Sequence, residues 1–485
     1  MLASRPPVRG VAVRVLGSLV VAAALVAGSL TAAQAATVPG APTRVLAIGY
    51  DRSLRVGWFA PESDGGSPVT GYRLRDTLSG TTWTVPAEIE ARTLTGLTNG
   101  VTRVLRVAAV NALGTGPESA PAPAATPHDP FPGARFAATG SMFTARTRAE
   151  AVRLADGRVL VVGGFRLTAT GADIMLASAE LYSPATGTWS RAASLPSPRS
   201  GFSLNLLPGG KVLLAGGYDP GFRQTSTAYL YTPADNTWKS TGRMTLPRAD
   251  HVGLTLRNGT VLAAGGTTAP PSATAATRTS ETYSVTTGRW TRAGLMTRAR
   301  THHQGALLAG RSGVVLVAGG DAGGAGTRTA ELYRPASRTW VATGSMTDVR
   351  GNDDVGDFTM TVLGTGKVLV AGGYGTGVLR SAELYDPATG TWRRTGSMPF
   401  ATQGGHTATL LRDGTALVVA GMDDYGPLAV SQIYVPATGR WRRGNDLSTD
   451  RVFATATLLT TGRVLVAGGT TGFPSRSLAT AERYG

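Results

Sequence analysis

From residue 38 onward the chain is a succession of short runs in which apolar residues either alternate with polar ones or stand in unbroken rows, each run closed by Gly, Pro, Asn or Asp. Runs of that length, ended that way, are strands; none keeps the 3.6-residue beat of an amphipathic helix. The two kinds of run are segregated. Alternation prevails over 38–127, as in "SLRVGW" and "RVAAVN", and predicts half-buried strands with one wet face. Beyond 133 the rows are solid, as in "RVLVVGG", "KVLLAGG" and "RVLVAGG", and predict strands covered on both faces. The pattern therefore divides the chain into two all-β parts.

The second part repeats. "SAELYSPATGTW" at 178–189 returns as "SAELYDPATGTW" at 381–392. Gly pairs end the solid rows at 163–164, 216–217, 265–266, 319–320, 372–373 and 468–469, with Ala420–Gly421 as a weaker copy. Trp189, Trp238, Trp290, Trp340, Trp392 and Trp441 follow at intervals of 49 to 52 residues. Four strand-like runs in a period near fifty predict the blades of a β-propeller. The Gly pair lets backbones approach closely or leave the strand with positive φ. Tyr and Trp on the third and fourth strands are large enough to fill the widening space between blades. The repeated Glu180, Glu281, Glu331, Glu383 and Glu482 read as structural acceptors for backbone or Arg groups, because a site built once needs no five copies.

The Gly pair, Glu-x-Tyr and Trp together resemble the kelch family over 133–485. The last copy, "ATAERYG", lacks its Trp strand, while "ARFAATGSM" at 134–142 matches "TWVATGSM" at 339–346 with Phe136 in the Trp place. The missing strand is thus expected from the other end of the domain, closing a ring of seven blades and removing exposed sheet edges. The run over 38–127 resembles a fibronectin type III domain, with Trp58 as its buried strand-B Trp and Leu97 as its loop Leu. Arg103 departs from that family, standing where the corner Tyr is usual. "SAPAPAATPHDPFPG" at 119–133 reads as a semi-rigid linker, which makes the first domain a spacer. The predicted fold is all-β: a seven-bladed kelch-type propeller preceded by a fibronectin type III sandwich.

In a four-stranded meander the 1–2 and 3–4 turns lie on one face, and the 2–3 and 4–1 loops on the other. The first set is nearly uniform ("ADGR", "PGGK", "GTGK"; "PATGT", "PADNT", "PASRT"). The second varies: blades 1 and 3 have longer 2–3 loops, and blade 5 has an enlarged 4–1 loop, "TDVRGNDDVGDF" at 347–358. Varied loops on a constant scaffold are where recognition is expected. Aligning the copies places Arg146, Arg199, Arg248, Arg300 and Arg451 at one position where the innermost strand begins, with His251, His303 and His406 just after it. These side chains admit two readings: blade architecture, or a cationic funnel around the axis for carboxylate-bearing or sulfated ligands. Asp348, Arg350, Asp353, Asp354 and Asp357 mark the exceptional blade-5 loop, in which Arg350 and Val355 break any EF-hand spacing. Tyr218, Phe222, Tyr374 and Tyr425 lie just past the Gly positions and offer either packing or stacking faces for sugar rings.

Composition adds a destination. Arg5, Arg9 and Arg14 precede an apolar run from Val15 to Leu30, and "AAQA" then offers small residues for cleavage, so 1–35 reads as an export signal. Its removal takes the net charge from +17 to +14, and 44 of the 47 basic residues are Arg. That bias speaks to solubility and association, not to fold. No Cys is present, so stability outside the cell must come from packing. A seven-bladed kelch propeller also resembles the catalytic domain of galactose oxidase and related copper radical oxidases. That resemblance implies Tyr and His copper ligands at the innermost-strand entrance and a Tyr–Cys cross-link, which a chain without Cys cannot form. Glycoside hydrolysis would need paired carboxylates, and only the blade-5 Asp residues offer any. No nucleophile elbow, Walker loop or HExxH occurs. The expectation is a secreted, monomeric, non-catalytic recognition protein without a cofactor. Its partner would be an extracellular polysaccharide or a cell-surface protein, with no nucleic acid bound and no insertion into a membrane.

Overall fold

The computed structural model describes residues 35–50, 52–128, 133–168, 173–268, 276–310, 313–321, 325–351, 357–472 and 475–485. Nearly all of the candidate export segment, together with Asp353 and Asp354, lies outside them. The described residues form strands and no helix.

The alternating part folds as a sandwich. One sheet holds Thr43–Tyr50, Ser53–Phe59 and Ala91–Thr95; the other holds Thr82–Pro86, Gly71–Asp76, Leu105–Asn111 and Gly114–Glu118. Inward residues Leu54, Val56, Trp58, Tyr72, Leu74 and Val107 make one core, in which Trp58 meets Tyr72 edge-on at 5.2 Å. Arg103 replaces the corner hydrogen bond with an ion pair. Its Nη1 donates to the buried Asp76 Oδ2 at 2.8 Å, and its backbone bridges to Ala125.

The repeating part forms seven sheets, each running outward from an inner strand. The inner strands are Glu150–Arg153, Ser203–Leu206, Val252–Thr255, Gln304–Leu307, Thr359–Val362, Gly404–Leu410 and Thr455–Leu458. Each touches the next in order, and the last touches the first, so they ring an axis. The second strands, such as Val159–Val162 and Val315–Ala318, are buried throughout, as their solid apolar rows require. Closure follows the expected route: Phe136–Thr139 is the outer strand of the last sheet, paired with Ala481–Tyr484. Phe136 lies 5.0 Å from Tyr484, the spacing at which Trp189 meets Tyr182 (5.1 Å).

The repeated aromatic residues also tie blades together. Trp189 Nε1 donates to Gly140 O at 2.6 Å and the Tyr182 hydroxyl bonds Thr139 Oγ1 at 2.8 Å, reaching from blade 1 into the closing strand. The Gly pair is required by the neighbouring blade. At Gly265 (φ +67°) a Cβ would lie 2.5 Å from His303 Cε1 and 2.6 Å from the Arg300 carbonyl oxygen. The innermost strand of one blade therefore starts in the space that the previous Gly pair leaves open.

The sandwich is not held off as a spacer. Arg55 forms a buried ion pair with Asp423 at 3.1 Å, Phe59 packs on Tyr425 at 5.5 Å, and Ile48 and Tyr50 join Leu428 and Val430 in one apolar cluster. The Tyr425 hydroxyl donates to the Arg44 carbonyl, and Tyr425 fills the space beside Gly57 where a side chain would stand. Asp423 and Tyr425 belong to the 2–3 connection of blade 6, so the first domain sits on the varied loop face. The run at 119–133 gave no hint of this, because docking is written in residues far from the linker.

Candidate functional site

The repeated arginines are scaffold. Arg248 is fully buried, with Nη2 on Glu281 Oε1 at 2.8 Å and Nη1 donating to the carbonyls of Gly265 (2.8 Å) and Thr279 (3.2 Å). Arg146–Glu180 (2.8 Å), Arg300–Glu331 (2.7 Å), Arg350–Glu383 (3.1 Å) and Arg451–Glu482 (2.9 Å) repeat that pair. The Glu also receives amides of the loop entering its blade; Glu180 accepts from Phe143 N at 2.7 Å and Thr144 N at 3.0 Å. Each unit pins the start of an inner strand to the third strand of the same blade. In blade 2 Tyr229 stands in the Glu place, under the guanidinium of Arg199 at 5.5 Å. Pro196 there occupies the position of Phe143 and has no N–H to be satisfied. In blade 6 Thr402 and Gln432 replace the pair, and Phe400 N donates to Gln432 Oε1 at 2.8 Å. The cationic-funnel reading of Arg146, Arg199, Arg248, Arg300 and Arg451 is therefore corrected: these five guanidiniums are buried within their blades.

His251 and His303 are corrected in the same way, while His406 packs as they do and also borders the axial cavity. His251, His303 and His406 pack against the Gly pair of the preceding blade, at the place Phe202 and Phe358 take against Gly163 and Gly319. His251 Nε2 meets Ser203 Oγ at 3.1 Å and His406 Nε2 the Ala371 carbonyl at 3.1 Å. Burial, reinforced by the Arg248 cation, pulls His251 down to about 3. Burial pulls His406 down to about 4, and burial with the Arg300 cation holds His303 well below the ordinary imidazole range. They are neutral packing groups.

What faces the axis is the residue between them. Two places beyond the repeated Arg stand Arg148, Gly201, Asp250, His302 and Phe453, with Gly405 and Asp357 in the copies of altered length. All seven border one cavity of about 430 Å³ at the mouth of the axis on the loop face. Four of the five non-glycine members, Arg148 (φ 51°), Asp250 (52°), His302 (51°) and Phe453 (56°), are left-handed, as are Gly201 and Gly405 (63° each). A side chain in that region costs on the order of 1 kcal/mol or more and persists where surrounding structure imposes it. The buried Arg on one side and the packed His, Phe or Ala on the other impose it here. The kink turns the intervening side chain toward the axis.

The funnel is polar and mixed in charge. His302 Nε2 stands 3.6 Å from Asp250 Oδ2, which also accepts from the Tyr218 hydroxyl at 2.6 Å. Arg148 lies flat over Phe453, 3.7 Å from the ring centre. Below them Glu150, first residue of the blade-1 inner strand, is open to solvent within the funnel yet encircled by the inner strands. Burial among them, with the charges of Asp250 and Asp357, pushes its carboxyl up to about 7. Gln304, Thr359 and Thr407 add neutral donors and acceptors.

Of the other expected residues, Asp357 lines the funnel and Tyr218 reaches it through Asp250. Asp348 is braced by Ser381 Oγ (2.5 Å) and Arg394 Nη2 (2.5 Å) and stands beside Arg350, so both are architecture. Asp353 and Asp354 fall outside the described residues, while Asp357, from the same loop, lines the funnel. Tyr374 is half-buried in its own loop, bridged to Val378. Tyr425 anchors the sandwich, and Phe222 stacks on Phe165 at 6.0 Å. The ring itself was missed by a search for repetition. Its signal was the opposite: one position changing from copy to copy between two that recur.

Family models match a fibronectin type III domain at residues 40–125 and a kelch motif at residues 361–399, the second of which falls on blade 5. The chain carries a fibronectin type III domain and, within the ring of blades that follows it, a kelch motif. Among solved structures, a fungal alcohol oxidase of the AA5 family in complex with copper superposes on this kelch protein with a TM-score of 0.56. It is 20% identical, and the match covers 71% of this chain and 74% of that one, a likeness of fold. The residues here do not fit a copper radical centre. The chain has no Cys, the funnel ring carries no Tyr, and the described residues contain no group of three His, Cys, Asp or Glu placed to hold a metal. No helix among the described residues is long and apolar enough to cross a membrane.

Proposed function

We propose that this kelch protein is exported and acts outside the cell as a recognition protein whose axial funnel takes the end of a glycan. The observation that carries the proposal is the ring of Arg148, Gly201, Asp250, His302, Asp357, Gly405 and Phe453, which differs from blade to blade while its flanks recur. A scaffold that holds six of these backbones alike, and four as strained non-glycine residues, is fixing what their side chains present. Closely set acceptors (Glu150, Asp250, Asp357) and donors (Arg148, His302, Gln304) suit vicinal hydroxyls, each of which donates and accepts at once. Three carboxylates against Arg148 and one imidazole favour neutral or amine-bearing sugars over the anionic ligands that a cationic funnel would select. The export signal read at 1–35 supplies the compartment.

The test is retention of the full chain on insoluble polysaccharides and cell-wall fractions across a salt series. The expected result is binding to at least one glycan that survives 0.5 M salt, because neutral hydrogen bonding in a funnel is weakly screened. Retention on none of them would refute the proposal. A second reading rests on Glu150: a carboxyl whose pKa is pushed up to about 7, with Asp250 and Asp357 near it, is suited to act as general acid in glycoside hydrolysis. Release of reducing sugar from the bound glycan, abolished by Glu150→Gln, would favour that reading over binding alone.

A further inference from the structure

The contact between the two domains leaves a second cleft, independent of the funnel. It runs between the strand Ala91–Thr95 of the sandwich and the loops of blades 6 and 7, as adjoining cavities of about 690 and 320 Å³ that share Arg55, Thr93, Asp450 and Thr471. One wall is a sheet edge. Ala91–Thr95 pairs with Ser53–Phe59 on one side only, and among the described residues nothing pairs with its other side.

Register decides which backbone groups that edge presents. Trp58 N donates to Glu90 O at 3.0 Å, and the ladder continues Val56↔Arg92 and Leu54↔Leu94. Antiparallel partners alternate between bonded and non-bonded pairs, so Arg92 and Leu94 spend their N–H and C=O inside the sheet. Ala91, Thr93 and Thr95 direct theirs outward, and Ala91 and Thr93 line the cleft. Natural sheets cover, shorten or charge such edges because they template strand pairing. Here the edge faces a walled groove instead.

The groove is net positive, with Arg55, Arg92, Arg135 and Arg476 in its lining against Asp446 and Asp450. Its acids are engaged: Asp446 holds Arg443 at 2.6 Å, Asp450 accepts Thr471 Oγ1 at 2.5 Å and Gly472 N at 3.1 Å, and Asp423 neutralises Arg55. Arg92, Arg135 and Arg476 line the groove without a carboxylate partner among the described residues.

We propose that this cleft binds an acidic segment of a partner protein in extended form, added as a fourth strand to the sheet edge at Ala91–Thr95. Backbone groups of Ala91 and Thr93 supply the ladder, and Arg135 and Arg476 select carboxylate side chains on alternate residues of the guest. At about 3.3 Å per residue, the five-residue edge accepts four or five guest residues.

The experiment uses the full chain and two labelled, end-blocked peptides of alternating Val–Glu and Val–Lys, with oligogalacturonate as an anionic glycan. Fluorescence anisotropy is expected to show binding of the Val–Glu peptide and at least about tenfold weaker binding of Val–Lys. Hydrogen exchange is expected to slow in segment 91–95 when the Val–Glu peptide is bound. Thr93→Pro removes an outward N–H without breaking the internal ladder and is expected to weaken binding about tenfold or more, while Thr93→Val, which keeps the N–H, binds as wild type. If Thr93→Pro fails to fold, the double variant Arg135→Glu, Arg476→Glu should reverse the preference between the two peptides. Equal binding by Thr93→Pro, no protection at 91–95, or binding of oligogalacturonate but of neither peptide overturns the proposal. None of these results bears on the funnel.

Discussion

Replacing Glu331 by Ala probes the unit that sets the geometry of the site. Glu331 accepts Arg300 Nη2 at 2.7 Å, Thr297 N at 2.5 Å and Arg298 N at 3.3 Å. Arg300 is completely buried and otherwise rests on the Gly319 and Thr329 carbonyls, 3.0 Å each. The substitution strands a guanidinium with no counter-ion and two amides with no acceptor. Breaking a buried pair by removing one partner costs roughly 3–5 kcal/mol, because the remaining charge stays desolvated. Replacing both, as Arg300→Met with Glu331→Leu, leaves the same two amides and the Gly319 carbonyl without their partners, at roughly 1–3 kcal/mol each, but no desolvated charge. The double variant should therefore be more stable than Glu331→Ala alone. Blade 2 shows what the loss of the Glu alone requires: Arg199 stays buried, over the Tyr229 ring and on the Gly216 carbonyl and Thr227 hydroxyl, and Pro196 withdraws one of the amides. Urea unfolding followed by Trp fluorescence measures both variants against wild type. A loss below about 1 kcal/mol for Glu331→Ala, the level of an exposed ion pair, would refute the assignment of these pairs as the braces of the inner strands.

Other outcomes follow from the same geometry. His251→Phe should fold, since Phe202 and Phe358 hold the equivalent place, and should gain stability in acid. The folded pKa of about 3 lies below the unfolded value, so His251 costs stability as pH falls from about 6.5 toward 3; thermal melts at pH 7 and pH 4.5 should show the variant's advantage only at the lower pH. For Glu150 the sign is opposite. Its folded pKa of about 7 lies above the unfolded value, so its contribution is present in acid and lost as pH rises through 7, and Glu150→Gln should raise the melting temperature at pH 8 but not at pH 5. Asp423→Ala leaves Arg55 unpaired between the domains and should expose the linker to protease at least severalfold faster, while equal cleavage rates would show the sandwich to be fastened by its apolar contacts alone.

Whatever the fold needs seven times was legible in the sequence. Tyr–Trp spacing, Gly pairs and solid apolar rows gave the blades, and Phe136 disclosed the closing strand because it sits in a Trp context without being Trp. The orientation of the repeated Arg was not legible, since a position at the start of a strand does not say whether a side chain turns to the axis or between sheets. A correlation was present: five blades keep both Arg and Glu and blade 6 changes both, to Thr402 and Gln432, while blade 2 alone keeps its Arg199 against Tyr229. The funnel residues were hidden for a different reason. Their left-handed backbone, which aims them, is imposed by neighbours in space: Gly201, Gly405, Asp250 and His302 are types that favour such a turn, but Arg148 and Phe453 are not, so no common residue marks the position. The docking of the sandwich depends on Arg55 meeting Asp423, two residues far apart in the chain that no periodicity connects.

The central claim is that the non-repeating ring at the axis, and not the repeated Arg and His, contacts the ligand. It is tested most directly by titrating the retained glycan into two proteins by calorimetry: wild type, and a ring variant carrying Arg148→Ala, Asp250→Ala and His302→Ala, with every buried Arg–Glu pair intact. The account predicts a ring variant that melts within a few degrees of wild type and binds the glycan at least about a hundredfold more weakly. A variant that keeps wild-type affinity would contradict it.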